Sequence, residues 1–395
     1  MTPASTPACP HCAAGPFAGV TYDEELAAKT RLLRRELGAT TRPGASLDLE
    51  RVELRPAPAR EGYRNTVKLV FGWDKAARRA ALGIYRPGSH QLIDLGHCRE
   101  HHPALGPPIA FIAEAVGRLG LPVYHEGRAK GFLRHLLLRV LPDGRMLCCF
   151  VTPQAEGAWQ EKLLILAREL RAAFPALLCV TQNLNPGRGN AVLGPHTQLL
   201  EGQWSVPCLF LETPVAVSAT CFLQANLEVF RLILADLRDW IRARAAEGGA
   251  PPRVADLYCG CGAIGLSVTR TEPLFLLEGE HASQIPLMEA ARADGRAEIE
   301  VVRGRVEDCL TSLELFEPDL VLVDPPRKGL DPALLDHLHQ RPPRALAYLS
   351  CNPATLARDL ATLSQDPAWR LESLTAWDMM PGTEHVEVLA LLRRE

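Results

Sequence analysis

Short apolar runs in the last third of the chain alternate with segments whose apolar positions recur every three or four residues. Val254-Ala-Asp-Leu-Tyr258, Leu274-Phe-Leu-Leu-Glu278, Ile299-Glu-Val-Val302, Asp319-Leu-Val-Leu-Val-Asp324 and the run from Ala345 to Leu349 read as buried strands, and Val386 to Leu392 closes the set. Strands separated by helical stretches predict a parallel, doubly wound sheet, and so an α/β domain over residues 221–395. The fifth of these runs ends on Ser350-Cys351. Asn352-Pro353 then breaks the strand and starts a helix.

The pattern ahead of that domain is different. Tyr22 to Leu37 has helical periodicity, with Leu26, Thr30 and Leu33 on one side and Lys29, Arg31, Arg34 and Arg35 beside them. It belongs to a leader, residues 1–46, that opens with Cys9-Pro-His-Cys12. Residues 47–220 carry short β-like runs bounded by Pro and Gly, among them Thr66 to Phe71, Leu133 to Val140 and Met146 to Val151. Helical stretches near Ile109–Leu119 and Trp159–Phe174 separate them, which predicts a mixed α+β region. Cys148 and Cys149, inside an apolar run, read as core. The segment from Gly62 to Lys68 alternates basic, polar and aromatic residues, as an RNA-contacting strand or a solvated strand face would. Gly248-Gly-Ala-Pro-Pro252 marks the entry to the last sheet.

Length and composition leave room for two domains and an appended module. No run is apolar for long enough to span a membrane, and Met1 to Pro10 lacks a signal-peptide pattern. With 12 cysteines in such a chain, a reducing compartment is expected, here the cytoplasm. Residues 1–250 hold 29 Lys+Arg against 23 Asp+Glu, and residues 251–395 hold 14 against 23. The first part is the likelier face for a polyanion, the second has the acidity of a small-molecule catalytic domain.

The chemistry-bearing positions cluster at strand ends. Asp256-Leu-Tyr-Cys-Gly-Cys-Gly-Ala-Ile-Gly265 is a glycine loop that lets backbone approach a ligand, and alone it fits a dinucleotide or S-adenosylmethionine equally. Cys259 and Cys261 read as loop fillers. Glu278 ends the second strand, where a carboxylate can hold ribose hydroxyls. Asp324-Pro-Pro-Arg327 resembles a signature of nucleic-acid methyltransferases, with an arginine where enzymes acting on exocyclic amines put an aromatic ring. Cytosine-5 enzymes commonly place a nucleophile on this loop; here it holds no cysteine, which leaves Cys351, one strand further on. Taken alone, Cys351 reads as a small core filler rather than as a nucleophile. Methylation of uracil C5 needs a thiolate at C6 to make C5 nucleophilic, then a base to remove the C5 proton. Glu387 in His385-Val-Glu-Val-Leu389 is the candidate base.

These residues resemble the uracil-5 RNA methyltransferase family. The likeness rests on Asp324-Pro-Pro-Arg-Lys-Gly329, Tyr348-Leu-Ser-Cys-Asn-Pro-Ala-Thr355, Cys221-Phe-Leu-Gln-Ala-Asn226 and Asp378-Met-Met-Pro-Gly-Thr-Glu-His-Val-Glu387, the last with Met380 where phenylalanine is usual. The resemblance implies a Rossmann-like class I methyltransferase domain preceded by an RNA-binding region. It also implies S-adenosylmethionine as methyl donor, Cys351 as nucleophile, Glu387 as base, and Gln224, Tyr258, Glu278 and Asp324 as cofactor-site residues. The short form, with Cys9, Cys12 and Cys98, is similar to the 23S rRNA hairpin-loop branch that holds a [4Fe–4S] cluster; its further leader cysteine falls here on Met1, so no fourth ligand is identified. The resulting expectation is a monomeric 23S rRNA (uracil-5-)-methyltransferase working through a cysteine–C6 adduct, with a tRNA T-loop enzyme as the alternative. A nucleotide-cofactor oxidoreductase has no use for Asp-Pro-Pro-Arg or Ser-Cys-Asn, and a non-catalytic RNA chaperone has none for Cys351 and Glu387.

Overall fold

The computed structural model describes residues 15–38, 52–74, 79–86, 89, 91–96, 98–155, 157–187, 189, 191–247 and 250–395. The chain forms two compact units. The first is built on Ala59–Cys208 and Val217–Leu227, the second on Val20–Pro58, Leu209–Ala216 and Glu228–Glu395.

Strand β1 (Glu53–Arg55) belongs to the second unit. The next seven, β2 (Thr66–Asp74), β3 (Arg79–Tyr85), β4 (Leu92–Asp94), β5 (His135–Val140), β6 (Met146–Thr152), β7 (Leu177–Leu184) and β8 (His196–Gly202), form the sheet of the first unit in the order β4-β3-β2-β5-β6-β7-β8. All neighbours there are antiparallel except β6 and β7, whose parallel pairing needs the crossover helix Ala158–Ala173. Leu136, Leu138, Cys148 and Phe150 meet residues of that helix and of Gly106–Leu119 in one core. Cys148 lies in this core and Cys149 is fully buried beside it on the strand, as their apolar run predicts. In the segment from Gly62 to Lys68, Tyr63, Asn65 and Val67 point inward, and Arg64 pairs with Glu100. The aromatic ring at Tyr63 is therefore core, and Lys68 faces out. A two-stranded ribbon, β9 (Val206–Phe210) with β10 (Thr213–Val217), follows.

The second unit holds β11 (Val254–Leu257), β12 (Leu274–Glu278), β13 (Ile299–Arg303), β14 (Leu320–Val323), β15 (Ala345–Ser350), β16 (Trp369–Trp377) and β17 (Glu387–Arg394). With β1 they make an eight-stranded sheet in the order β1-β16-β17-β15-β14-β11-β12-β13. Strands β11 to β15 are mutually parallel where they pair, as the alternation predicts. Every residue of β11, β12, β14 and β15 is buried, which is why these strands are continuous apolar runs rather than alternating ones. The strand order reverses between β11 and β14, the point in such sheets where ligands bind at the carboxyl ends. Two features were not predicted from the sequence. Strand β16 joins the sheet, and β17 runs antiparallel between β16 and β15 instead of standing at an edge.

The helix Tyr22–Gly38, predicted within a separate leader, is part of the second unit. Its Leu33 and Leu37 sit in the core of that unit, and it packs against the helix Pro353–Leu363. Among the described residues no helix is long and apolar enough to cross a membrane.

Candidate active site

Cys351 stands at the carboxyl lip of β15, and the local sequence explains why it stays there. Ser350 Oγ accepts from Asn352 N–H at 3.1 Å, and Asn352 Oδ1 accepts from Ala354 N–H at 3.2 Å, capping the helix that Pro353 begins. Cys351 is thus held in the turn between strand and helix, half-buried.

The Asp324-Pro-Pro-Arg327 loop is tied to this turn through one carbonyl. Arg327 O accepts from Asn352 Nδ2 at 2.9 Å and from Thr355 Oγ1 at 3.3 Å. Lys328 O accepts from Arg358 Nη2 at 2.9 Å. Asp359, fully buried, accepts from Leu330 N–H and Tyr348 O–H, each at 2.8 Å. Gly329 makes this closure feasible: its φ is +80°, and a Cβ there would lie 2.5 Å from both Arg358 Nη2 and Asp359 Oδ2.

Glu387 reaches the same edge from the opposite direction. Because β17 is antiparallel to β15, with Val388 paired to Ser350, its first residue lies beside the turn that holds Cys351. Glu387 is 5% exposed, and its Oε2 has no hydrogen-bond partner. Val386 and Val388 are buried too, so the strand is covered on both faces and a solvated carboxylate is excluded. Burial raises the Glu387 carboxyl well above the usual range, Asp324 raises it further, and Arg327 opposes both. The Cys351 thiol is pushed up to about 11, first by burial and then by Glu387 and Asp324, with Arg327 again opposing. Burial and the neighbouring acids thus favour the protonated forms of Cys351 and Glu387, and Arg327 opposes this at both. A cavity of about 260 Å³ opens beside Cys351, lined by Arg327, Pro353, His385 and the helix residues Leu32 and Leu33.

At the ends of β11 and β12 the glycine loop is shaped by two carboxylates. Asp256 Oδ2 accepts from Gly265 N–H at 2.7 Å while Oδ1 is buried without a partner, and burial pushes this carboxyl up to about 8. Glu278 accepts from Gly260 N–H at 2.7 Å and from Glu280 N–H. Its carboxyl is raised mainly by burial. Tyr258 takes a left-handed backbone, φ +61°, and its hydroxyl is buried with no partner. A Cβ at Gly260 would meet nothing within 4 Å, whereas one at Gly265 would lie 2.8 Å from Asp256 Oδ2. Gly260 thus leaves backbone open to a ligand, and Gly265 packs the following helix onto the strand. An orphaned hydroxyl, spare carboxylate lone pairs and an open glycine fit a nucleoside-bearing cofactor. Cys259 and Cys261 are buried, as loop fillers would be.

The fold thus gathers Cys351, Glu387, Asp324, Tyr258 and Glu278 on one sheet edge. Gln224 lies in the first unit, 7% exposed, in a segment fixed by the buried Arg139 guanidinium, which donates to Ser218 O and Cys221 O at 2.8 Å each. Cys98 is 7% exposed within the apolar core of that unit. Cys9 and Cys12 lie outside the described residues, and among those described no three His, Cys, Asp or Glu side chains converge as a metal site. Cys98 alone of the three implied ligands is described, and by itself it makes no cluster site. Sequence reading also missed Lys29, fully buried against Glu25 and Asp378.

A family model described as tRNA (uracil-5-)-methyltransferase matches residues 300–395. An RNA methyltransferase of Geobacter sulfurreducens, itself uncharacterised, is 31% identical over 96% of this chain and 75% of its own length. Another from Thermosynechococcus vestitus is 34% identical over 94% of this chain and 80% of its own. Among solved structures, the tRNA (uracil-54, C5)-methyltransferase of Pyrococcus abyssi, in complex with S-adenosyl-L-homocysteine, superposes with a TM-score of 0.73 at 22% identity, covering 98% of this chain and 87% of that one. That likeness is one of fold, the class I methyltransferase sheet with an additional N-terminal region. The two relatives match nearly the whole of this chain and the family model spans the segment from Asp324 to Glu387, so the chain belongs to the uracil-5 RNA methyltransferase family.

Proposed function

We propose that this protein transfers a methyl group from S-adenosylmethionine to carbon 5 of a uridine in RNA. The observation that carries the reading is the delivery of Cys351 and Glu387 to neighbouring strand ends, with Asp324 and Arg327 close enough to act electrostatically on both. S-adenosylmethionine supplies an electrophilic methyl group. Tyr258, Glu278 and Asp324 are the residues that would hold it, and Gln224 is assigned with them on the family resemblance. Cys351 gives its thiol proton to solvent and its Sγ bonds to C6 of the uracil, and the C5=C6 electron pair moves to C5, where it can form the bond to the methyl group. Glu387 then takes the C5 proton. The released pair re-forms C5=C6 and breaks the bond from C6 to sulfur, returning Cys351. For this step Glu387 must be ionised, and burial beside Asp324 makes it a stronger base than a solvated carboxylate.

Within the family we assign the substrate as a hairpin-loop uridine of 23S rRNA, supported by the Cys9, Cys12 and Cys98 pattern of the sequence. The tRNA T-loop is the second reading, favoured by the description of the matching family model and by the fold neighbour. The first unit, with the basic excess of the chain, is assigned to RNA contact. Mapping 5-methyluridine in rRNA and tRNA from cells lacking the protein tests this. Loss at one 23S rRNA site is expected; loss in tRNA moves the substrate, and no loss in either overturns the reading.

A further inference from the structure

We infer that Lys29, with Glu25 and Tyr22 on the same helix, is a positioning group that sets the loop carrying Glu387 and so governs the step in which the C5 proton leaves; the inference rests on Glu387 being the base.

The loop between β16 and β17 runs from Asp378 to Val386, and the helix Tyr22–Gly38 grips its first half at three points. Asp378 Oδ1 accepts from Lys29 Nζ at 2.6 Å and Oδ2 accepts from Tyr22 O–H at 2.9 Å. The Met380 carbonyl accepts from Lys29 Nζ at 3.3 Å. Gly382 N–H donates to Glu25 Oε1 at 2.5 Å, and the same oxygen lies 2.8 Å from Lys29 Nζ. The side chains of Lys29, Glu25 and Asp378 are all 0% exposed. The Tyr22 hydroxyl oxygen in turn accepts from Ala57 N–H at 2.8 Å, which anchors the helix start to the segment leaving β1.

A fold that needed only cohesion here would use apolar side chains, because three buried charges carry a desolvation cost that contact alone does not return. What charged hydrogen bonds add is direction and distance. They fix a turn in which Gly382 takes φ +84°, five residues before Glu387. The same helix packs on the helix Pro353–Leu363, which starts directly after Cys351, and its Lys29 and Leu33 line the cavity beside that cysteine. One element therefore touches both the loop of the base and the helix of the nucleophile. Displacing the loop moves Glu387 while leaving Cys351 on its own capped turn, so the two chemical steps should separate.

The test is rapid-quench analysis of Lys29→Met on a uridine-containing RNA substrate, following adduct formation and product release separately. Expected is a fall in product release of roughly tenfold to hundredfold, with adduct accumulating and its formation changed by less than about threefold. Lys29→Arg, which keeps the charge, should recover part of the release rate. Glu25→Gln, which keeps volume and an acceptor, is the second variant if Lys29→Met does not fold, with a smaller loss in the same step. A folded Lys29→Met or Glu25→Gln protein whose two steps are unchanged, or fall together, overturns the inference. A wild-type protein that forms no adduct with 5-fluorouridine RNA overturns instead the reading of the reaction.

Discussion

Val388 on β17 pairs with Ser350 on β15 in antiparallel register, and this pairing brings Glu387 alongside Cys351. A parallel strand would have put the carboxylate at the far end of the sheet. Nucleophile and base are thus supplied by two neighbouring strands of opposite direction, each by the residue at the strand's edge.

Glu387 should be costly to stability. Its folded-state pKa is raised above the ordinary 4.5, so above that pH the unfolded chain gains by ionising and folding stability falls as pH rises towards the folded-state value. Glu387→Gln is therefore expected to raise the thermal midpoint at pH 7 to 8. The gain should vanish below pH about 4.5, where the carboxyl is protonated in both states. Melting curves of both proteins across this range check it; a destabilised variant at neutral pH contradicts it.

On uridine RNA the same Glu387→Gln variant should form the cysteine adduct and fail to release it. Product formation is expected to drop by at least about a hundredfold, the lower end of what a positioned base contributes. Denaturing gels showing protein–RNA complex with Glu387→Gln and not with wild type would report this. A variant that turns over normally removes Glu387 from the mechanism.

Cys351 alkylation should follow its raised pKa. With the thiol at about 11 in the free protein, iodoacetamide labelling at Cys351 should rise with pH through the range from 8 to about 11. Removing the Glu387 charge should shift the profile to lower pH, because Glu387 is the largest electrostatic contribution holding it up. Peptide mass spectrometry resolves Cys351 from the other cysteines, and a profile already saturated at pH 7 contradicts the site as described.

Gly329→Ala tests the closure of the Asp-Pro-Pro-Arg loop. An added Cβ meets Arg358 and Asp359 at 2.5 Å in a left-handed backbone, which is expected to cost about 1–3 kcal/mol. Denaturant unfolding should show that loss together with reduced activity, since the loop and the Cys351 turn share the Arg327 carbonyl.

Much of this site was legible in the sequence because its signals are local. Asn352-Pro353 after an apolar run announces a strand ending on Cys351, and Gly260 to Gly265 announces a loop between strand and helix. The remainder depends on partners far along the chain. Lys29 sits among Arg31, Arg34 and Arg35 and looks like one more solvated cation, but its partner Asp378 is 349 residues away. The periodicity of β17 shows a strand without showing its direction, and direction is what brings Glu387 to Cys351. The nine-residue β16 lacks one consistent period, because it alternates over its first five positions and is buried throughout its last four, with a register shift between Leu371 and Ser373.

The most direct test of the central claim is covalent trapping on RNA that carries 5-fluorouridine, with S-adenosylmethionine present. Fluorine at C5 cannot leave as a proton does, so wild-type protein should accumulate a stable methylated complex linked through Cys351 Sγ, and Cys351→Ala should form none. A Cys351→Ala protein that still forms the complex, or still methylates uridine RNA, would contradict the account.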